Sequence, residues 1–190
     1  MNSQQSEERE KALMNIKQTA IEMAEQTSSF VDLYHNRSAS MERVNVIECI
    51  NKAIAKANYK ELPEIEVVIL TENIYLYANE NKITEMVYNI ISNSIEAISD
   101  AKRKGGYIKI KVFDEYNLLC ISIYDNGCGM TKEIRKNLFK PLISTKKTFY
   151  HWGLGMSQVY NTVESLGGFI NVKSKLNEFT EIQMVFKKIK

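Results

Sequence analysis

Apolar positions near the start of the chain step by alternating threes and fours: Leu13, Ile16, Ala20, Met23, Thr27, Phe30 and Tyr34. That spacing predicts a helix from about residue 7 to about residue 37, with a narrow seam broken only by polar Thr27. A seam of this kind asks for a partner helix. After a polar break at Asn36 to Ser40 the period changes. Arg43 to Val46 reads as a short strand, and Asn45 caps a helix reaching about Tyr59 with Ile47, Ile50 and Ile54 turned inward. Glu64 to Leu70 and Ile74 to Ala78 are β-rich runs. Asn79 then caps a long helix, about residues 80 to 103, whose positions Ile83, Met86, Val87, Ile90, Ile91, Ile95 and Ile98 keep helical spacing; Gly105-Gly106 ends it.

Two alternating runs, Tyr107 to Phe113 and Leu118 to Tyr124, flank a short Asp114 to Asn117 turn and predict an antiparallel hairpin. A glycine-punctuated loop, a short helix near Thr131 to Leu138 and an aperiodic stretch from Phe139 to Trp152 follow. A glycine-started helix over about 153 to 166 closes at Gly167-Gly168, and strands at Phe169 to Ser174 and Thr180 to Lys187 complete the pattern. The sum is an α+β sandwich, a mixed sheet with helices on one face, preceded by a long amphipathic helix.

The 190 residues carry 25 Lys+Arg against 23 Asp+Glu, with 44% hydrophobic content. These values fit one globular domain with a small appendage and argue against disorder. A formal net charge of +2 offers no global attraction to nucleic acid or to anionic lipid, so neither is an expected partner. The three cysteines, Cys49, Cys120 and Cys128, have neither paired nor metal-ligand spacing, and no run approaches about 18 apolar residues. The expectation is a soluble, cytoplasmic chain. Its two histidines, His35 and His151, are too few for a histidine cluster.

Three constellations carry candidate chemistry. Asn89 and Asn93 lie one turn apart on one helix face, where two carboxamide oxygens suit a hard cation such as Mg²⁺. Asp125-Asn126-Gly127-Cys128-Gly129-Met130 follows a strand; alternate glycines admit a flat ligand, and the Asp can accept from an exocyclic amine such as that of adenine. Gly153-Leu154-Gly155-Met156-Ser157 opens a helix whose free N–H groups suit a polyphosphate, with Lys140, Lys146 and Lys147 in the stretch before it. Singly, each has a plain alternative: solvated asparagines, a turn after a strand, a tight turn, a solvated basic loop.

Order and spacing change that balance. Asn89-Ile90-Ile91-Ser92-Asn93-Ser94-Ile95-Glu96-Ala97 resembles the N box of sensor histidine kinases, and Asp125 to Met130 resembles their first glycine box. Phe139-Lys140-Pro141-Leu142-Ile143-Ser144-Thr145-Lys146 is similar to their F box, Gly153 to Ser157 to their second glycine box, and Thr180 to the Thr near the adenine site. The resemblance covers about Arg43 to Lys187 and implies the Bergerat ATP-binding fold shared with type II topoisomerases and mismatch-repair ATPases.

By that resemblance ATP and Mg²⁺ are the cofactors. Asn93 is the principal metal ligand supported by Asn89, and Asp125 reads the adenine amino group with Gly127, Gly129, Met130 and Thr180 around it. Lys146 and the turn Gly153, Leu154, Gly155, Met156 hold the β- and γ-phosphates. Hydrolytic relatives carry a general-base Glu where this chain has Asn89, which favours transfer over hydrolysis. Two departures stand out. His151 and Trp152 replace the usual opening of the second glycine box, and residues 1–42 resemble only the second helix of the dimerisation and phosphoacceptor hairpin, ahead of a catalytic domain at 43–190. Neither histidine fits an acceptor: His35 is followed by Asn36 and Arg37 rather than by an acid, and His151 lies in the lid. The expectation is therefore a kinase fragment that lacks its acceptor His, is homodimeric in the full-length protein, and has as partners a dimerisation helix and a response regulator. An ATPase of the same fold and a non-catalytic interaction module are the other readings.

Overall fold

The structure, a computed structural model, describes residues 12–14, 16, 40–57, 63–141 and 153–188. Residues 12–14 and 16 are helical; the rest of the expected heptad helix lies outside the described residues. The chain divides into two compact units, residues 1–39 and 40–190.

In chain order the second unit holds β1 (Glu42–Asn45), α1 (Val46–Lys56), β2 (Glu64–Ile69), β3 (Tyr75–Ala78), α2 (Glu80–Asp100), β4 (Tyr107–Glu115) and β5 (Leu118–Asp125). It continues with α3 (Lys132–Asn137), α4 (Gly155–Ser165), β6 (Phe169–Lys175) and β7 (Phe179–Lys187). Five strands form a mixed sheet in the order β2-β4-β5-β7-β6, in which only β2 and β4 run parallel. The expected hairpin is present, and its turn places Tyr116 and Asn117 at φ 46 and 69, the pair of left-handed residues that a two-residue hairpin turn needs.

Strand alternation sets the core. Ile108, Ile110 and Val112 of β4, Leu119, Ile121 and Ile123 of β5, and Ile182, Met184 and Phe186 of β7 share one face of the sheet and are buried. α2 lies over β4 and β5, flanked by α1 on one side and α4 on the other. Its buried stripe is Ile83, Met86, Val87, Ile90, Ile91, Ile95 and Ile98, each worth about 1.5–3 kcal/mol on burial.

Three features differ from expectation in detail. β1 and β3 form their own two-stranded antiparallel sheet instead of joining the larger one; β2 meets β4 in parallel register, a pairing decided by contacts far apart in sequence. On α1 the fully buried face is Val46, Cys49, Ile50 and Ala53, while Ile47 and Ile54 are half-buried at its flank. Small Cys49 and Ala53 let α1 approach α2 closely, so that the Cys49 thiol lies 3.9 Å from the Glu80 carbonyl oxygen. The long helix also ends earlier than its glycine pair, at Asp100, with Lys102 in the left-handed region at φ 48. Among the described residues no helix is long and apolar enough to cross a membrane.

Candidate functional site

Asp125 is the last residue of β5, paired with Ile108 on one side and Thr180 on the other, on the inward-facing side of the sheet. That register carries its carboxylate under α2, where it is 3% exposed. Oδ2 accepts from the Ser94 hydroxyl at 3.0 Å, Oδ1 accepts from the Gly127 N–H at 2.9 Å, and the Thr180 N–H supplies a third bond. Burial pushes the carboxyl up to about 6, against the downward pull of the three donors.

The loop after β5 is pressed against α2. A Cβ on Gly127 would lie 2.6 Å from the Ala97 carbonyl carbon, and the Cys128 N–H donates to the Ala97 oxygen at 2.9 Å. Gly129 has φ +61, and a Cβ there would meet the Lys175 carbonyl oxygen at 2.1 Å. A glycine is therefore required twice, once for space and once for conformation as well. Met130 donates its N–H to Ser174 Oγ at 2.8 Å; Ser174 donates in turn to the Phe179 carbonyl at 2.9 Å and lies 3.1 Å from Thr180 Oγ1. With the Ser174 proton already given away, the Thr180 hydroxyl is the donor in that contact, and its own oxygen keeps acceptor capacity.

Asn89 and Asn93 project from α2, both half-buried. Asn89 Nδ2 donates to Gln158 Oε1 of α4 at 3.2 Å, and a Cβ on Gly155 would lie 3.4 Å from Asn89 Oδ1. Asn93 makes no side-chain hydrogen bond among the described residues. α4 begins at Gly155 with Leu154 in the capping position and no side chain capping it; Gly153 ahead of it has φ +66. The side chains of Leu154 and Met156 are buried, so what this turn presents is backbone N–H. Lys140 is exposed, whereas Lys146, Lys147, His151, Trp152 and His35 lie outside the described residues.

The structure thus brings Asn89, Asn93, Gly153, Leu154, Gly155 and Met156 to the α2–α4 junction. It brings Asp125, Gly127, Gly129, Met130 and Thr180 to the α2–β5–β7 junction. Residues 78–190 match the family of histidine kinase-, DNA gyrase B-, and HSP90-like ATPases. The chain belongs to that family. Domains of this ATPase family bind ATP, and both junctions lie along α2.

Among curated relatives, sensor histidine kinase YcbM of Bacillus subtilis (strain 168) is 27% identical over 195 aligned positions, covering 96% of this chain and 61% of YcbM. Sporulation kinase B of the same organism is 31% identical over 130 positions, covering 68% of this chain and 28% of the kinase. The chain therefore spans less than two thirds of the length of either relative. Among solved structures, a mycobacterial sensor histidine kinase, MprB, superposes with a TM-score of 0.67 at 18% identity, over 78% of this chain and all of that one; this likeness concerns the fold.

Three residues that bond to the expected site residues carry no role in the motifs: Ser94, inside the N-box run itself, Gln158 and Ser174. Ser94 had a signal, being a hydroxyl inside the buried stripe between Ile91 and Ile95. Gln158 and Ser174 had none, since a polar residue on a helix or a strand flank is unremarkable until its neighbour is known.

Proposed function

We propose that the chain binds Mg·ATP along α2, between its two junctions, and passes the γ-phosphoryl group to a histidine of a dimerisation domain, as the kinase core of a two-component sensor. The observation that carries this reading is the asparagine pair. Asn93 presents a carboxamide with no hydrogen-bond partner among the described residues, and the position one turn earlier is a carboxamide tied to Gln158 rather than a carboxylate. A carboxamide cannot take a proton from water at neutral pH, so nothing at Asn89 activates water for hydrolysis.

The donor set fits the cofactors. Neutral oxygens at Asn93 and Asn89 suit a Mg²⁺ that keeps several waters and shares phosphate ligands. The bound metal would supply charge neutralisation on the phosphates. The uncapped turn Gly153 to Met156, with Lys146, takes the β- and γ-phosphates through N–H groups and a positive dipole end. Asp125, acceptor-only when ionised, takes the adenine amino group, with Gly127, Gly129, Met130 and Thr180 closing that end. In the transfer an imidazole nitrogen of the acceptor forms the new N–P bond while the β,γ-bridging O–P bond breaks and ADP departs. The chain's own residues position and hold charge.

On this reading residues 1–42 supply the second helix of a dimerisation hairpin and 43–190 the catalytic domain. The full-length protein is a homodimer in the cytoplasm that passes phosphate on to a response regulator. The test supplies a dimerisation domain bearing its acceptor His, together with labelled ATP. Acid-labile, base-stable label on that domain, lost with Asn93→Ala, is the expected result. Steady phosphate release without phosphohistidine would favour an ATPase, and no Mg·ATP binding in calorimetry a non-catalytic module.

A further inference from the structure

The Asp125 carboxylate is held by more donors than ligand contact alone requires. An ionised carboxylate has about four acceptor positions and no donor. Three are filled within the chain, by Gly127 N–H, Thr180 N–H and the Ser94 hydroxyl. The first two are backbone groups fixed by the turn and by the β5–β7 pairing. The third comes from a side chain on α2, 3% exposed, at a place in the buried stripe that packing alone would give to an apolar residue.

We propose that Ser94 is a positioning residue that sets nucleobase choice, pinning Oδ2 of Asp125 so that the site takes a 6-amino purine and rejects a 6-oxo purine. This rests on the reading of Asp125 as the group that meets the base. With three positions filled, the carboxylate can only accept through the fourth. An amino N–H satisfies it; a carbonyl oxygen placed there meets another oxygen with no proton between them, in a site too dry to relieve the conflict.

Protonation reverses the preference, because a carboxylic acid can donate to a 6-oxo group. Burial favours that neutral form and the internal donors oppose it. The groups facing Asp125 give no other help. α2 contributes Ser94, β4 contributes Ile108, and β7 contributes the Thr180 N–H. Tyr124 beside it on β5 and Cys128 in the following loop are both raised above their ordinary values, so they stay neutral where Asp125 titrates. Ser94 is thus the one donor that a side-chain change can remove.

The test titrates ADP and GDP calorimetrically into the full chain at pH 6 and pH 8, for wild type, Ser94→Ala and Ser94→Thr. It also follows the Asp125 carboxyl carbon by NMR against pH without nucleotide. Ser94→Ala is expected to weaken ADP by about tenfold and to narrow the ADP-to-GDP preference, more at pH 6 than at pH 8. Its Asp125 midpoint should move up, while Ser94→Thr, which keeps the hydroxyl, should restore both preference and midpoint toward wild type. A Ser94→Ala variant that weakens ADP and GDP equally at both pH values, or leaves the Asp125 midpoint in place, overturns the inference while nucleotide binding stands. Wild type binding neither nucleotide would sink the nucleotide site itself, and this inference with it.

Discussion

Replacing Asp125 by Asn should stabilise the fold near neutral pH while abolishing adenine recognition. The buried carboxyl is pushed from its ordinary 3.8 to about 6, and a rise of about 2 pH units corresponds to about 3 kcal/mol. Between those two values the folded protein holds the proton while the unfolded chain has released it. Stability therefore falls as pH rises through that window, and the whole penalty is present above about 6. The substituted carboxamide would carry no charge, and the existing donors accommodate it. Its oxygen can still accept from Gly127, while the new NH₂ faces Ser94, whose hydroxyl can rotate to accept. Allowing for one weakened bond, the gain at pH 7.5 is about 1–3 kcal/mol. Urea unfolding at pH 7.5 and pH 5 reads it directly: the variant should be the more stable at pH 7.5, and the two curves should converge on acidification. An Asp125→Asn protein that is less stable than wild type at pH 7.5, with no convergence at pH 5, would refute burial as the source of the raised value. Calorimetry on the same samples should show nucleotide binding lost, placing Asp125 among residues kept for function at a cost in stability.

Gly127→Ala puts a methyl 2.6 Å from the Ala97 carbonyl carbon, so α2 and the loop must part; a loss of about 1–3 kcal/mol in denaturant unfolding, together with weaker ATP binding, is expected. Asn89→Glu restores a carboxylate beside the amino terminus of α4 and removes the amide bonded to Gln158; phosphate release from ATP, followed by a coupled assay, should rise above the wild-type rate. Ala53→Leu overfills the close α1–α2 contact and should lower stability by about 1–3 kcal/mol without altering nucleotide affinity.

What could be read along the chain and what could not divide on physical grounds. α2 was legible because seven apolar positions repeat at helical spacing behind an Asn cap, and the structure shows Asn79 Oδ1 accepting from the Lys82 N–H. β4 was legible because Ile108, Ile110 and Val112 alternate with Tyr107, Lys109 and Lys111. The separation of β1 and β3 from the main sheet was not, since four-residue strands carry no record of their partners. On α1 the expected inward residues hold in part, with Ile50 fully buried and Ile47 and Ile54 packed at the flank; what large side chains do not reveal is that a close helix pair also selects small ones, Cys49 and Ala53. At the site, the glycines and Asp125 were visible from order and spacing. The bond from Ser94 to Asp125 joins residues 31 apart and exists only once β5 runs under α2.

That crossing explains why neighbouring residues on α2 reach different junctions. Successive positions on a helix are rotated by about 100° and displaced by about 1.5 Å. Asn89 and Asn93, four apart, therefore share the face toward α4, while Ser94, one residue on, points down to the sheet and reaches Asp125. Ala97, a turn beyond Asn93, is gripped by the Gly127–Cys128 backbone. On the proposed reading, the groups meant for the base and for the phosphates are thus fixed to one helix clamped at its far end by the glycine loop. A shift of α2 that moves Asn93 must also move Ser94, so changes at either junction should register at both ends of a bound nucleotide.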